Sequence, residues 1–135
     1  METSDKIVRN YMMENDAFSQ WLGIEILELR AGYVKLRMTV REEMTNGFGV
    51  AHGGITYSLA DSGLAFAANS HGIKSVSIET SIQHLKPVHA GDILVAEAIE
   101  ESLSNKLAVY TIRVKREEEL VALFKGMVYR TGKEW

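Results

Sequence analysis

Hydrophobic and polar residues alternate along most of the chain after residue 74 and in a shorter stretch before residue 40. A period of two is typical of strands with one buried face, so the pattern predicts six strands. They lie at 24–29 and 33–40, which form a hairpin turning at Ala31-Gly32, and at about 75–85, 92–103, 106–116 and 120–130.

Two other stretches have helical periodicity. The first runs from about 4 to 20, and Ser4 or Asp5 can cap its start. The second runs from about 54 to 70 and has no Lys, Arg or Glu between Ile55 and Asn69. A helix without a charged face is surrounded by other structure. The order of elements therefore predicts one α+β domain over residues 1–135, in which a curved antiparallel sheet wraps around a central apolar helix.

Composition narrows the class of protein. The chain is 46% hydrophobic, which is enough for one core, and its net charge of -3 gives no basic surface for nucleic acid. The absence of cysteine excludes disulfides, thiolate chemistry and cysteine-ligated zinc. No stretch resembles a signal peptide or a membrane span, so we expect a cytoplasmic protein without a membrane partner. The histidines are not spaced with carboxylates as metal ligands, and we expect no metal.

Asp61 is the unusual residue of the central helix. A carboxylate on a buried helix costs several kcal/mol unless it is paired or used, and no basic residue lies within two turns. The glycine-rich loop from Asn46 to Gly54 comes immediately before this helix. A helix start offers free N–H groups and a positive dipole end, and glycine lets a ligand approach the backbone closely. We therefore expect the functional site here.

The spacing of Asn46, His52-Gly53-Gly54 and Asp61 resembles the motif of hot-dog-fold acyl-CoA thioesterases, in particular the phenylacetyl-CoA thioesterase-like family. The stretches 76–79 and 84–87 also resemble this family's strand after the helix, and the similarity covers about residues 20 to 130. The resemblance implies a hot-dog fold and hydrolysis of acyl-CoA to free acid and CoA without a cofactor.

Thioester hydrolysis passes through an oxyanion that needs preorganised donors. We assign this role to the Gly53 N–H, with His52 and Gly54 positioning it. Asp61 is expected to act as general base on a water or as the nucleophile, and the sequence leaves both routes open.

Two further roles follow from the resemblance. Asn46 is expected to hold the water or the thioester oxygen, and Ser77 to orient the attacking water.

Aromatic residues on or beside the central helix are candidates for an acyl slot. Tyr57 and Phe48 are expected to bind substrate, and Phe66 is either part of the slot or part of the core. A slot lined in this way favours aryl or medium-chain acyl groups over long chains. Lys86 is the first candidate for the CoA phosphates, and other basic residues on the strands are Arg113, Lys115, Arg116 and Arg130.

Helix geometry predicts that the site is shared between chains. Eight residues separate Gly53 from Asp61, which is about 12 Å along one helix. A single thioester carbon cannot reach both groups of one chain. We therefore expect an obligate dimer, and the resemblance implies that two dimers join into a tetramer.

Two alternatives differ from hydrolysis. A non-catalytic acyl-CoA-binding or sensing module would share the fold but release no thiol. Hot-dog dehydratases and hydratases are expected to carry an Asp with a His five residues later, or a His within a Phe-Pro-Gly stretch. In this chain Phe66 stands five residues after Asp61, and the one proline, Pro87, is not part of such a stretch.

Overall fold

The computed structural model describes residues 2–135 and contains two α-helices and six strands within that range. They are α1 (Ala17–Leu22), β1 (Glu25–Arg30), β2 (Tyr33–Thr39), α2 (Gly53–Asn69), β3 (Ile73–His84), β4 (Ile93–Leu103), β5 (Leu107–Arg116) and β6 (Glu119–Glu134). All six predicted strands are present, and α2 matches the predicted central helix to within one residue at each end. No helix in residues 2–135 is long and apolar enough to cross a membrane.

The prediction of one continuous helix over residues 4–20 is wrong. A π-helical segment, Lys6–Met12, and a 3₁₀ turn, Met13–Asn15, precede α1. Asp16 leaves the helical conformation, with φ -102° and ψ 85°, and its side chain accepts a hydrogen bond from the Ser19 N–H at 2.9 Å. This N-cap starts a new helix. It satisfies the Ser19 N–H, which in a continuous helix would instead donate to a backbone carbonyl one turn earlier.

The strands form one antiparallel sheet in the order β1-β2-β4-β5-β6-β3. The two edges are β1 and β3. Because β3 pairs only with β6 within the described chain, its outer side presents unpaired backbone N–H and C=O groups along its length. Val76 and Ile78 on this edge strand are each 55% exposed.

The core lies between α2 and the inner face of the sheet, where α2 contacts β2 to β6. The largest fully buried side chains come from both layers and include Leu59, Leu64, Phe66, Leu36, Tyr110, Ile112 and Phe124. This is the sheet wrapped around a central helix that the hydrophobic pattern predicts.

Gly126 on β6 sets how closely α2 approaches the sheet. A Cβ atom at this position would lie 2.5 Å from Leu64 Cδ2 and 3.2 Å from Phe124 Cε1. Both side chains are buried in the core and have no solvent to move into. Gly63 faces the sheet from α2 and is less crowded. A Cβ atom built on Gly63 would lie 3.8 Å from its nearest neighbour.

Substitution of these two glycines should have opposite effects. We expect Gly126→Ala to lower the free energy of unfolding by about 1–3 kcal/mol, because overpacking forces the helix away from the sheet. The matched Gly63→Ala fits an ordinary contact distance and removes a glycine from a helix interior, so stability should be unchanged or rise by up to about 1 kcal/mol. Urea unfolding at one fixed protein concentration measures both, and equal midpoints for the two variants would contradict this account of helix placement.

Candidate active site

The loop before α2 is organised by Asn46. Its Oδ1 accepts hydrogen bonds from the backbone N–H groups of Phe48, at 2.9 Å, and Val50, at 3.4 Å, and its own N–H donates to Val50 O at 2.8 Å. The side-chain oxygen is therefore occupied by the loop. The Nδ2 group has no acceptor among residues 2–135 and remains available as a donor.

His52 is the N-cap of α2. Its Nδ1 accepts the Gly54 N–H at 3.0 Å, and its carbonyl accepts the Ile55 N–H at 2.8 Å. The Gly53 N–H has no acceptor within residues 2–135, although it is the first amide of a seventeen-residue helix. One backbone donor is thus left free at the positive end of the helix dipole, between two neighbours that are already bonded.

Asp61 lies eight residues further along the same unbroken helix. The side chain is half-buried, and it has no hydrogen bond or ion pair within the described part of the chain. Burial, and then the negative charge of Asp16, raise the pKa of Asp61 above its ordinary value. An unpaired carboxylate with a raised pKa is suited to accept a proton or to attack an electrophile.

One side of α2 is left uncovered by its own chain. Gly54 is exposed, and Tyr57, Ser58, Asp61 and Ala65 are half-buried, whereas most other residues between Ile55 and Asn69 are buried. These positions recur every three or four residues, so they form one stripe along the helix. We call them the open stripe of α2.

The predicted acyl-slot aromatics have three different environments. Tyr57 is held in place, since its hydroxyl lies 2.6 Å from Thr80 Oγ1 on β3 and its ring packs edge-on against Phe124 at 5.3 Å. Phe48 is 91% exposed at the tip of the loop. Phe66 is fully buried in the core, so of its two expected roles the core role is the observed one.

Ser77 faces the same side of the sheet as α2. It is opposite Val128, which is buried, and directly opposed residues of an antiparallel pair share one face. A bulge between Ser77 and Glu79 produces this orientation. The serine is exposed and has no hydrogen-bond partner for its hydroxyl in residues 2–135.

Sequence reasoning missed two polar residues beside Gly53. Thr56 Oγ1 donates to Gly53 O at 3.1 Å and lies 3.2 Å from Nδ1 of His84 at the end of β3. These residues, with Gly53 and Lys86, line a cavity of about 310 Å³. The available signal was the alternation of β3, which places His84 two positions beyond Ile82 and four beyond Thr80, on the side facing the helix.

The basic residues proposed for CoA phosphates do not form one group, because Arg113 and Lys115 line one cavity together and Lys86 lines another. Lys86 is exposed at the cavity, whereas Arg116 is paired with Asp92 at 2.7 Å and with Glu119. Arg130 donates from Nη1 to Ser104 O at 2.8 Å. Within residues 2–135 there is also no grouping of three His, Asp or Glu side chains that could hold a metal ion.

Comparison with known proteins places the chain in a family. The family model of the thioesterase superfamily matches residues 48–123, which include the loop from Phe48 onward, α2 and the strands β3 to β5. A putative esterase of Archaeoglobus fulgidus is 45% identical over 95% of this chain and 84% of its own length. The acyl-coenzyme A thioesterase PaaI of Escherichia coli is 40% identical over 90% of this chain and 87% of its own.

Solved structures agree with these relatives. The structure of the E. coli PaaI protein superposes with a TM-score of 0.92 at 38% identity and covers 98% of this chain and 99% of that one. A hypothetical thioesterase from Streptococcus pneumoniae, solved with coenzyme A, has a TM-score of 0.79 at 25% identity over 83% of this chain and 91% of its own. The chain therefore belongs to the thioesterase superfamily, and the hot-dog fold and the thioester-hydrolase class expected from its sequence are confirmed.

Proposed function

We propose that the protein hydrolyses aryl- or medium-chain acyl-CoA to a free carboxylic acid and CoA, with Asp61 as general base or nucleophile and the Gly53 N–H as oxyanion donor. The E. coli relative named an acyl-coenzyme A thioesterase and the coenzyme A bound by the S. pneumoniae neighbour support this substrate class. The free Gly53 amide and the unpaired Asp61 carboxylate support the assignment of roles.

The observation that carries the proposal is the continuity of α2 from Gly53 through Asp61. Eight residues of α-helix rise about 12 Å, so the two groups of one chain cannot both reach one thioester carbonyl. A site built from two chains would allow both groups to reach the same thioester carbonyl. A two-fold dimer would bring Asn46 and Gly53 of one chain to Asp61 of its partner and would contain two identical sites.

The β3 edge and the open stripe of α2 are the surfaces that such a dimer would use. The edge strand has unpaired backbone groups and the exposed apolar residues Val76 and Ile78. The stripe lies next to it, because Tyr57 is bonded to Thr80 on β3. Pairing of two β3 strands would extend the sheet and cover both stripes at once. As the resemblance implies, two such dimers then associate as a tetramer.

Both chemical routes begin with the thioester oxygen at the Gly53 N–H. On the water route, Asp61 takes a proton from water, the water oxygen bonds to the carbonyl carbon, and the negative charge on the carbonyl oxygen is stabilised by the amide. The intermediate then expels the CoA thiolate. On the nucleophile route, an Asp61 oxygen displaces the thiolate to give a mixed anhydride, which water hydrolyses.

The other site residues would position these reactants. Asn46 would donate from Nδ2 to the water or to the thioester oxygen, since its Oδ1 is occupied by the loop. His52 and Gly54 hold the first turn of α2 through their hydrogen bond. Ser77 would orient the attacking water from β3, on the side that faces the helix.

The shared site is tested by complementation. Asn46→Ala and Asp61→Asn are each expected to lower kcat by at least about 10²-fold, because each removes a group that acts in the transition state. When equal amounts are unfolded together and refolded, half of the dimers should be mixed, and each mixed dimer holds one doubly defective and one intact site. About a quarter of parental activity should therefore return. No recovery, with mixed dimers present by native mass spectrometry, would place both residues in one chain's site.

The ionised Asp61 carboxylate is expected to lower the free energy of unfolding. Its raised pKa means that the folded state binds this proton more tightly than the unfolded state, so ionisation above the folded pKa destabilises the protein. Asp61→Asn should increase stability to urea at pH 7, and the gain should vanish as the pH falls through the raised pKa towards the ordinary value of 3.8.

The matched control is Asp92→Asn. Burial raises the pKa of Asp92, but hydrogen bonds from the His89 amide and Arg116 outweigh it and lower the pKa overall. Its carboxylate therefore stabilises the protein above the ordinary pKa, and the substitution should destabilise at pH 7. If both variants shift the urea midpoint in the same direction, at one protein concentration, the electrostatic account of Asp61 fails.

Acyl preference is tested with a series of acyl-CoA substrates. A slot bounded by Tyr57 and Phe48 should give phenylacetyl-CoA and hexanoyl-CoA at least about a 10-fold advantage in kcat/KM over palmitoyl-CoA. Phe48→Ala should reduce this advantage, because it opens the slot. The assay measures free thiol release, and the highest kcat/KM on palmitoyl-CoA would exclude a short aromatic slot.

A further inference from the structure

His84 at the end of β3 packs against the backbone of Gly53. A Cβ atom built on Gly53 would lie 3.2 Å from Nε2 of His84 and 3.5 Å from Cε1, so the ring edge lies next to the space that a side chain at Gly53 would occupy. In the sheet, His84 is opposite the buried Ala122, which turns its side chain towards α2.

The hydrogen bonds of Thr56 favour the His84 tautomer that carries its proton on Nδ1. Its hydroxyl has a single hydrogen, which it donates to Gly53 O at 3.1 Å. The Thr56 oxygen therefore accepts from Nδ1 of His84, at 3.2 Å. In the neutral ring this leaves Nε2 with a lone pair, and Nε2 has no donor among residues 2–135.

The Nε2 atom lies on the same side of Gly53 as the free amide hydrogen. In an α-helix each Cα–Cβ bond tilts towards the N-terminus, and the N–H groups point in the same direction. Nε2 is close to the virtual Cβ atom of Gly53, so it lies beside the space into which the Gly53 N–H points. The cavity of about 310 Å³ in front of them thus has a donor and an acceptor next to each other.

We propose that Nε2 of His84 accepts a hydrogen bond from the first amide N–H of the pantetheine arm of acyl-CoA, which lies in this cavity. This inference rests on the proposed function, because it takes the thioester oxygen to be at the Gly53 N–H. Two methylene groups separate the thioester sulfur from that amide, so a substrate held at Gly53 carries the amide N–H into the adjoining space.

The chemistry of the cavity suits this part of the substrate. A lone pair on a neutral imidazole attracts a neutral N–H donor, such as that of a secondary amide. Apolar side chains, among them Val50, Leu85 and Pro87, form other parts of the wall and match the methylene groups of the arm. Lys86 contributes the positive charge at the same cavity, towards which the phosphates further along CoA would extend.

The test varies the substrate together with the enzyme. Three thioesters of one acyl group are compared: the CoA ester, the N-acetylcysteamine ester, which keeps the first amide, and the S-ethyl ester, which has none. His84→Phe keeps an aromatic ring against Gly53 and removes the acceptor. Effects of the substitution on the first turn of α2 act on all three substrates and cancel when kcat/KM values are expressed as ratios to the S-ethyl ester.

We expect the ratios for the CoA and N-acetylcysteamine esters to fall by about 3- to 10-fold in His84→Phe, through KM, as for the loss of one hydrogen bond. His84→Gln, whose amide oxygen extends about as far as Nε2, should recover part of the loss. Equal losses on all three substrates, or a fall confined to the CoA ester, would overturn the assignment of this acceptor to the first amide.

Binding measurements separate this inference from the hydrolase proposal. Non-hydrolysable thioether analogues of the same three compounds are titrated into parent and His84→Phe protein by calorimetry. The inference requires weaker binding, by the same factor, of the two amide-bearing analogues relative to the S-ethyl analogue, whether or not the protein hydrolyses thioesters. Unchanged relative affinities would refute it even if Asp61→Asn abolishes turnover.

Discussion

The straight course of α2 inside the sheet is the constraint on which the site depends. The helix stays unbroken because its core-facing side carries no charge, His52 caps its start, and Gly126 lets it pack closely against β6. An unbroken helix fixes the distance between its first free amide and Asp61 at about 12 Å. The proposed catalytic centre needs both groups, so it would have to be assembled from two copies of the chain.

The hydrogen bonds around the first turn of α2 leave selected groups free. His52 occupies the Gly54 N–H, the His52 carbonyl occupies the Ile55 N–H, and the loop occupies Asn46 Oδ1. Among residues 2–135, the Gly53 N–H and the Nδ2 donors of Asn46 are left without an acceptor. Preorganised donors of this kind need no rearrangement when charge develops on a substrate. The loop glycines matter here chiefly because Gly49, with φ of +80°, closes the turn that carries Asn46 Oδ1.

The parts of the molecule that could be predicted are those encoded by local periodicity and local anomalies. The six strands, α2 and the isolated Asp61 all follow from residues near one another in sequence. The break at Asp16 could not be chosen from the sequence, because an aspartate can either cap a new helix or lie on the polar face of a continuous one. Strict alternation would put Ser77 on the opposite face from His84, and only the bulge in β3 restores it to the helix side. The contact of His84 with Thr56 joins a strand end to a helix start, so no local pattern reveals it.

The electrostatics of Asp61 also depend on what α2 lacks. A lysine or arginine one turn away would pair with the carboxylate, lower its pKa and weaken it as a base. The uncharged helix instead leaves burial and Asp16 to raise the pKa of Asp61. In the proposed dimer the free amide at the partner's helix start would bind the thioester oxygen rather than Asp61, which leaves the carboxylate available as a base.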